Sequence, residues 1–103
     1  MKLNEVMSAT EEWKNKLREA QANLESAEEW EDECYKRVLL YERECYTHPK
    51  CKSLSDTLIN EVYPEYNESY KARREAEERV ESTERVLEAL KELKEAMEEW
   101  QGV

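Results

Sequence analysis

A repeat of apolar residues at alternating spacings of three and four runs through the first half of the chain. Its members are Leu3, Val6, Thr10, Trp13, Leu17, Ala20, Leu24, Ala27, Glu31, Cys34, Val38, Tyr41 and Cys45. This is the heptad pattern of helices that pack side by side, so it predicts one long helix over about residues 5–46. Pro49 disfavours helical backbone at His48 and is expected to end that helix.

A second repeat occupies the C-terminal half of the chain and is counted backwards from Trp100. Its members are Trp100, Met97, Leu93, Leu90, Val86, Thr83, Arg79, Ala76, Ala72 and Ser69, with Val80 and Leu87 on a flanking line. Pro64 interrupts the pattern because it lacks an N–H group, although proline is well tolerated at the start of a helix. We therefore expect a short helix over about 55–62 and a long helix over about 64–101, with one kinked helix as the alternative.

The two repeats and the composition together predict an all-α fold. Charged residues make up 41% of the chain and there is one glycine, which is typical of long helices. A short turn, about 47–53, makes the long helices antiparallel neighbours, so residues 1–103 are expected to form a single coiled-coil-like helical hairpin with a short third helix at its tip.

The segment Val38–Tyr41 is apolar on all sides, so a single partner helix cannot cover it completely. Two arrangements would bury it. Residues Leu54, Leu58, Ile59 and Val62 could fold over it within the chain, or a second copy could cover it. On these grounds we expect a homodimer that forms a four-helix bundle.

Charge and cysteine content exclude several classes of function. A net charge of −10 disfavours direct binding to a phosphate backbone or to an anionic membrane surface, both of which need basic clusters. No apolar stretch is long enough to suggest a membrane span or a signal peptide. The odd number of cysteines, three, fits a reducing compartment, so a cytoplasmic location is expected.

The turn concentrates the residues with the most reactive side chains. Cys45, His48 and Cys51 have ligand types that zinc prefers, while Cys34 lies about 16 Å before Cys45 along a helix, too far to share one ion. A disulfide between Cys45 and Cys51 is a second interpretation. We favour free thiols and no metal or cofactor. The only glycine, Gly102, forms no phosphate-binding loop, and no nucleophile lies in a pocket-forming pattern, so no catalytic residue and no enzymatic activity are predicted.

Tyrosines and an acidic run mark the expected binding region. All six tyrosines lie between residues 35 and 70, and Glu28–Glu33 is the most concentrated acidic run. Exposed tyrosine is enriched at protein interfaces, which predicts a protein-interaction module such as an adaptor, assembly factor or inhibitor. The predicted partner-binding residues are Trp30, Glu31, Asp32, Glu33, Tyr35, Tyr46, Tyr63, Tyr66 and Tyr70. The alternative is a nucleic-acid mimic that fills a basic groove with its acidic face.

Overall fold

The computed structural model describes residues 1–101, and all of its regular structure is helical. Helix α1 spans Leu3–Thr47, helix α2 spans Lys52–Thr57, and helix α3 spans Tyr63–Gln101. A π-helical segment, Leu58–Val62, joins α2 to α3. No described residue lies in a strand, so the all-α prediction is confirmed. The last two residues of the predicted domain lie outside the part of the chain that the structure describes.

The turn between α1 and α2 takes up the residues around Pro49. The His48 N–H donates to the Glu44 carbonyl (2.8 Å) and the Cys51 N–H donates to the His48 carbonyl (3.0 Å). The Ser55 N–H then donates to the Cys51 carbonyl (3.3 Å), which starts the next helical ladder. Short local hydrogen bonds therefore satisfy the backbone across the reversal.

The chain stays helical from α2 into α3. Leu58 and Tyr63 have right-handed helical dihedral angles, and the Tyr63 N–H donates to the Leu58 carbonyl five residues back. Pro64 cannot donate, and its ring would crowd the carbonyl of Asn60 in a regular helix. A single widened turn immediately before the proline accommodates both effects, as π-helical turns do elsewhere.

The chain divides into two compact units, and the first contains residues 1–23 with the described part of 76–103. Its two helical segments run antiparallel, since Lys14 of α1 shares a groove with Lys91 of α3, and Ala20 shares a cavity with Thr83. Val6, Ala20 and Thr83 are the buried residues of this unit. No described helix has both the length and the apolarity required to cross a bilayer.

The second unit, Leu24–Glu75, is also an antiparallel helix pair. Arg37 pairs with Glu65, and Glu42 pairs with Tyr63, so rising numbers on α1 meet falling numbers on α3. Its buried core contains Val38, Leu58 and Val62, packed against Tyr41, Cys45 and Tyr66. The antiparallel pairing predicted for a hairpin is therefore present within each unit.

The packing seam of α1 is as predicted, and that of α3 includes seven of the ten predicted positions together with the flanking line. Every member of the predicted α1 repeat is buried or half-buried. On α3 the predicted positions Arg79, Leu93 and Trp100 are exposed, Trp100 by 83%. The predicted positions Ser69 and Thr83 are buried, and the flanking line packs beside this seam, with Arg73, Val80, Leu87 and Lys94 half-buried. Arg79 carries a charge that favours exposure, and Trp100 lies level with the first residues of α1, where little remains to cover it.

The apolar segment Val38–Tyr41 is covered only in part. Val38 is buried by Leu58 and Val62, as the within-chain arrangement predicts. Leu39 and Leu40 remain about half exposed. Because successive residues of a helix are turned by about 100°, these two leucines lie on opposite flanks of the seam that Val38 occupies.

Candidate functional site

Tyrosines from both helices of the second unit meet on one flank of the seam. The rings of Tyr35 and Tyr66 are 6.0 Å apart between centroids and tilted by 43°. The Tyr63 hydroxyl donates to Glu42 Oε1 across the helix pair (3.0 Å). Residues seven apart lie on one line of a packed helix, so Tyr35 and Glu42 share a line beside the seam. These cross-helix contacts place Tyr35 of α1 and Tyr63 and Tyr66 of α3 on the same flank.

We call this flank the tyrosine face. It comprises Tyr35, Leu39, Glu42 and Tyr46 from α1, Ile59 from the π-helical segment, and Tyr63, Tyr66 and Tyr70 from α3. Leu39 and Tyr46 are seven residues apart, next to the line of Tyr35, and Ile59 lies one turn before Tyr63. Tyr46, Tyr35, Tyr70 and Tyr63 expose 89%, 48%, 46% and 36% of their surface. The face is therefore a broad aromatic surface supported by regular helix.

An acidic concavity borders the tyrosine face towards the first part of the unit. It measures about 500 Å³ and is lined by Glu28, Glu31, Asp32, Tyr35, Tyr66 and Arg73. The Arg73 guanidinium forms an ion pair with Glu31 across the helices and lies 5.2 Å from the ring centroid of Tyr70. Asp32 forms an exposed pair with Lys36 (2.9 Å). The structure thus brings Glu31 and Asp32 next to Tyr35, Tyr66 and Tyr70.

Trp30 lies on the other flank, where Glu65 holds three donors. Glu65 Oε1 accepts from Arg37 Nη1 (2.8 Å), from Trp30 Nε1 (3.5 Å) and from Cys34 Sγ (3.6 Å). Hydrogen bonds from Arg37 and then Trp30 lower the pKa of the Glu65 carboxyl. Burial raises the pKa of the Cys34 thiol. Trp30 is therefore part of a cross-helix contact.

Four predicted binding residues lie outside the tyrosine face, and two of them, Glu31 and Asp32, line the concavity that borders it. Trp30 and Glu33 are five and two residues before Tyr35, which turns them to the far side of the helix. Sequence reasoning also missed Leu39, Glu42 and Ile59 of the face and Arg73 beside it. The signal for Glu42 was its spacing of seven from Tyr35, whereas its contact with Tyr63 depends on the pairing of the two helices, which no local pattern contains.

The turn and the end of α1 contain the residues weighed as alternative zinc ligands, Cys45, His48 and Cys51. The thiols of Cys34, Cys45 and Cys51 are all free, with Cys34 buried, Cys45 half-buried and Cys51 exposed. His48 is exposed, and its Nε2 lies 3.7 Å from Glu44 Oε2. Among residues 1–101 no three side chains of His, Cys, Asp or Glu are grouped to hold a metal ion. Cys45, His48 and Cys51, the alternative zinc ligands, are thus not assembled around one point.

Comparisons of the chain with protein-family models, with curated proteins and with solved structures find no match. A functional interpretation therefore depends on the residues and their geometry alone.

Proposed function

We propose that this protein is a non-enzymatic interaction module, an adaptor, assembly factor or inhibitor, that binds another protein through the tyrosine face. The observation that supports this most directly is the contiguous exposure of Tyr35, Leu39, Tyr63 and Tyr70 on one flank of a helix pair. Tyrosine combines a large apolar ring with a polar hydroxyl, and it is enriched at interfaces for that reason. We also propose a cytoplasmic location, on the chemistry of three free thiols.

The rigidity of the face favours binding. Tyr35 and Tyr70 project from regular helices, so little backbone order has to be gained when a partner docks. The cross-helix contacts of Tyr35 with Tyr66 and of Tyr63 with Glu42 restrict the rings further. A preorganised aromatic surface loses less conformational entropy on binding than a loop would.

A nucleic-acid mimic is the second candidate, and the ion pairs argue against it. A mimic presents carboxylates without compensating cations. Here Asp32 is paired with Lys36, Glu65 with Arg37, and Glu31 with Arg73. The acidic surface that such a mimic needs is partly neutralised by the chain's own cations.

We further propose that the chain forms a homodimer that completes a four-helix bundle. Support comes from Leu40, which remains about half exposed on the flank opposite the tyrosine face. A second copy would remove this apolar side chain from water. Sedimentation of the purified protein at micromolar concentration tests the proposal. A species of twice the chain mass is expected, and a monomer at every concentration would contradict it.

Capture of partners from the native host by alanine variants tests the interaction module. Tyr35→Ala and Tyr63→Ala are expected to lose the bound protein. The loss should be similar at low and high salt, since the contact removed is apolar. Trp100→Ala is the matched control because Trp100 is an exposed aromatic outside the face. Circular dichroism establishes that all three variants remain helical.

The same capture separates the two candidates. A mimic would lose its partner on charge reversal across Glu28–Glu33, with binding that falls steeply as salt rises, and would tolerate Tyr63→Ala. Full retention of the partner by Tyr35→Ala and Tyr63→Ala would refute the tyrosine face as the binding surface.

A further inference from the structure

We infer that the partner element bound by the tyrosine face is an amphipathic helix with an apolar centre and cationic residues at both ends. This inference rests on the proposed function and specifies the chemistry of its partner. It follows from where the carboxylates of the face lie relative to the exposed rings.

Two carboxylates of α1 lie on either side of Tyr35, Glu42 on the tyrosine face and Glu28 in the concavity that borders it. Glu28, Tyr35 and Glu42 are spaced seven residues apart and lie on one line of α1. Glu28 to Glu42 is therefore fourteen residues, or about 21 Å along the helix. Tyr35 lies midway and contacts Tyr66, while on α3 the exposed Tyr63 lies level with Glu42 and the exposed Tyr70 lies next to Arg73. The aromatic surface around Tyr35 therefore has a carboxylate on each side of it along α1, and Tyr46 continues the face beyond Glu42.

The terminal carboxylates are available to a partner. Within residues 1–101 neither Glu28 nor Glu42 forms an ion pair, and both are exposed. Glu42 accepts a hydrogen bond from the Tyr63 hydroxyl, and this bond raises the pKa of that hydroxyl. The contact fixes the position of the Glu42 carboxylate without neutralising it. Opposite charges on a partner would complement both ends.

A helix fits this surface better than other elements do. The face lies over the line where α1 meets α3, and the concavity beside Tyr35 and Tyr66 deepens that line. A third helix laid along a helix pair packs its ridges into such a groove. Cations about four turns apart on one helix would then reach Glu28 and Glu42 together.

Charge disfavours a second copy of this chain at the same face. An antiparallel copy centred near Tyr35 and Leu39 would bring Asp32 towards the other copy's Glu42, and a parallel copy would bring each carboxylate towards its own equivalent. Like charges opposed across an interface are costly. The homodimer proposed above therefore needs the flank of Leu40.

Two synthetic peptides test the inference on the full-length protein. Both are amphipathic helices of leucine and alanine with the same number of lysines. The first has its lysines in the first and last turns, about four turns apart, and the second has them in the middle. Binding is measured by fluorescence anisotropy of a labelled peptide. The first peptide is expected to bind at least about fivefold more tightly at low salt.

Glu28→Gln and Glu42→Gln are the matching variants, and glutamine at 42 keeps an acceptor for the Tyr63 hydroxyl. Each is expected to weaken binding of the first peptide by about two- to fivefold at low salt, because exposed charge pairs contribute modestly. Glu29→Gln removes the same charge from an exposed residue turned away from the face and should leave binding unchanged.

Equal affinity for the two peptides, or equal weakening by Glu29→Gln, would overturn the inference. That failure is distinct from failure of the proposed function. If Tyr35→Ala and Tyr63→Ala still lose the natural partner, the tyrosine face binds a protein, and only its assignment to a cation-ended helix is wrong.

Discussion

Leu58 and Ile59 are neighbours in the π-helical segment with opposite environments. Leu58 is buried in the cluster with Val38 and Val62, whereas Ile59 exposes 58% of its surface. Replacing each by alanine removes the same number of carbon atoms and changes helix propensity in the same direction. The difference in free energy of unfolding between the two variants therefore reports which side chain is buried, and so how the widened turn is oriented.

The structure sets the size of the difference. Replacing a buried leucine by alanine costs about 2–5 kcal/mol, with the larger values where the cavity cannot collapse. The cluster around Leu58 is small and borders half-buried Tyr41, Cys45 and Tyr66, which can move into the space. We therefore expect Leu58→Ala to lower the free energy of unfolding by about 2–3 kcal/mol. Ile59→Ala should change it by less than about 0.5 kcal/mol.

Urea unfolding followed by circular dichroism measures both variants against the unaltered chain. A loss of this size corresponds to a fall in Tm of about 10–20 °C in a domain of this length. Equal effects of the two substitutions, or a larger loss for Ile59→Ala, would contradict the orientation of the π-helical segment, in which Leu58 is buried against Val38 and Ile59 is exposed.

Two further predictions concern titratable groups. The lowered pKa of Glu65 means that its contribution to stability is complete above the ordinary carboxyl pKa and is lost as pH falls through the folded-state value. The urea midpoints of the unaltered chain and of Glu65→Gln should therefore converge as the pH is lowered. A difference between the two midpoints that grows in acid would contradict the contact of Glu65 with Arg37. Alkylation by a thiol reagent should modify Cys51 first, Cys45 next and Cys34 last, because exposure falls in that order and burial raises the pKa of Cys34. Mass spectrometry of the products gives the order, and early modification of Cys34 in the folded protein would contradict its burial.

The extent to which sequence predicts this fold depends on how distinct each apolar line is. On α1 a single line of apolar residues competes with charged neighbours, so the heptad count identifies the seam. On α3 two lines run side by side, one through Leu93 and Trp100 and one through Val80 and Leu87. Counting back from the end identified seven positions that pack and three that are exposed, Arg79, Leu93 and Trp100, while the second line is half-buried as well. How far each line is covered depends on the partner helix, which local spacing does not contain.

The sequence predicted most of the tyrosines of the candidate site, but not the contacts that they make across the two helices. The tyrosines were identified by their concentration between residues 35 and 70. Helical phase already separates Trp30 from Tyr35, so their placement on opposite flanks was available from spacing alone. The bonds of Glu65 to Trp30 and of Glu42 to Tyr63 were not available, because they depend on the exact level at which α1 meets α3. The π-helical turn was equally hidden, since Pro64 signals an interruption without specifying its form.

Photo-crosslinking from two adjacent residues tests the central claim most directly. Leu39 and Leu40 are exposed to similar extents, 49% and 46%, yet they lie on opposite flanks of the seam. A photoreactive amino acid placed at each position in the native host reports which flank contacts another protein. Adducts to a different protein are predicted from position 39 and not from position 40, where only self-adducts of the proposed homodimer are expected. Adducts to another protein from position 40 alone, or equally from both positions, would contradict the assignment of binding to the tyrosine face.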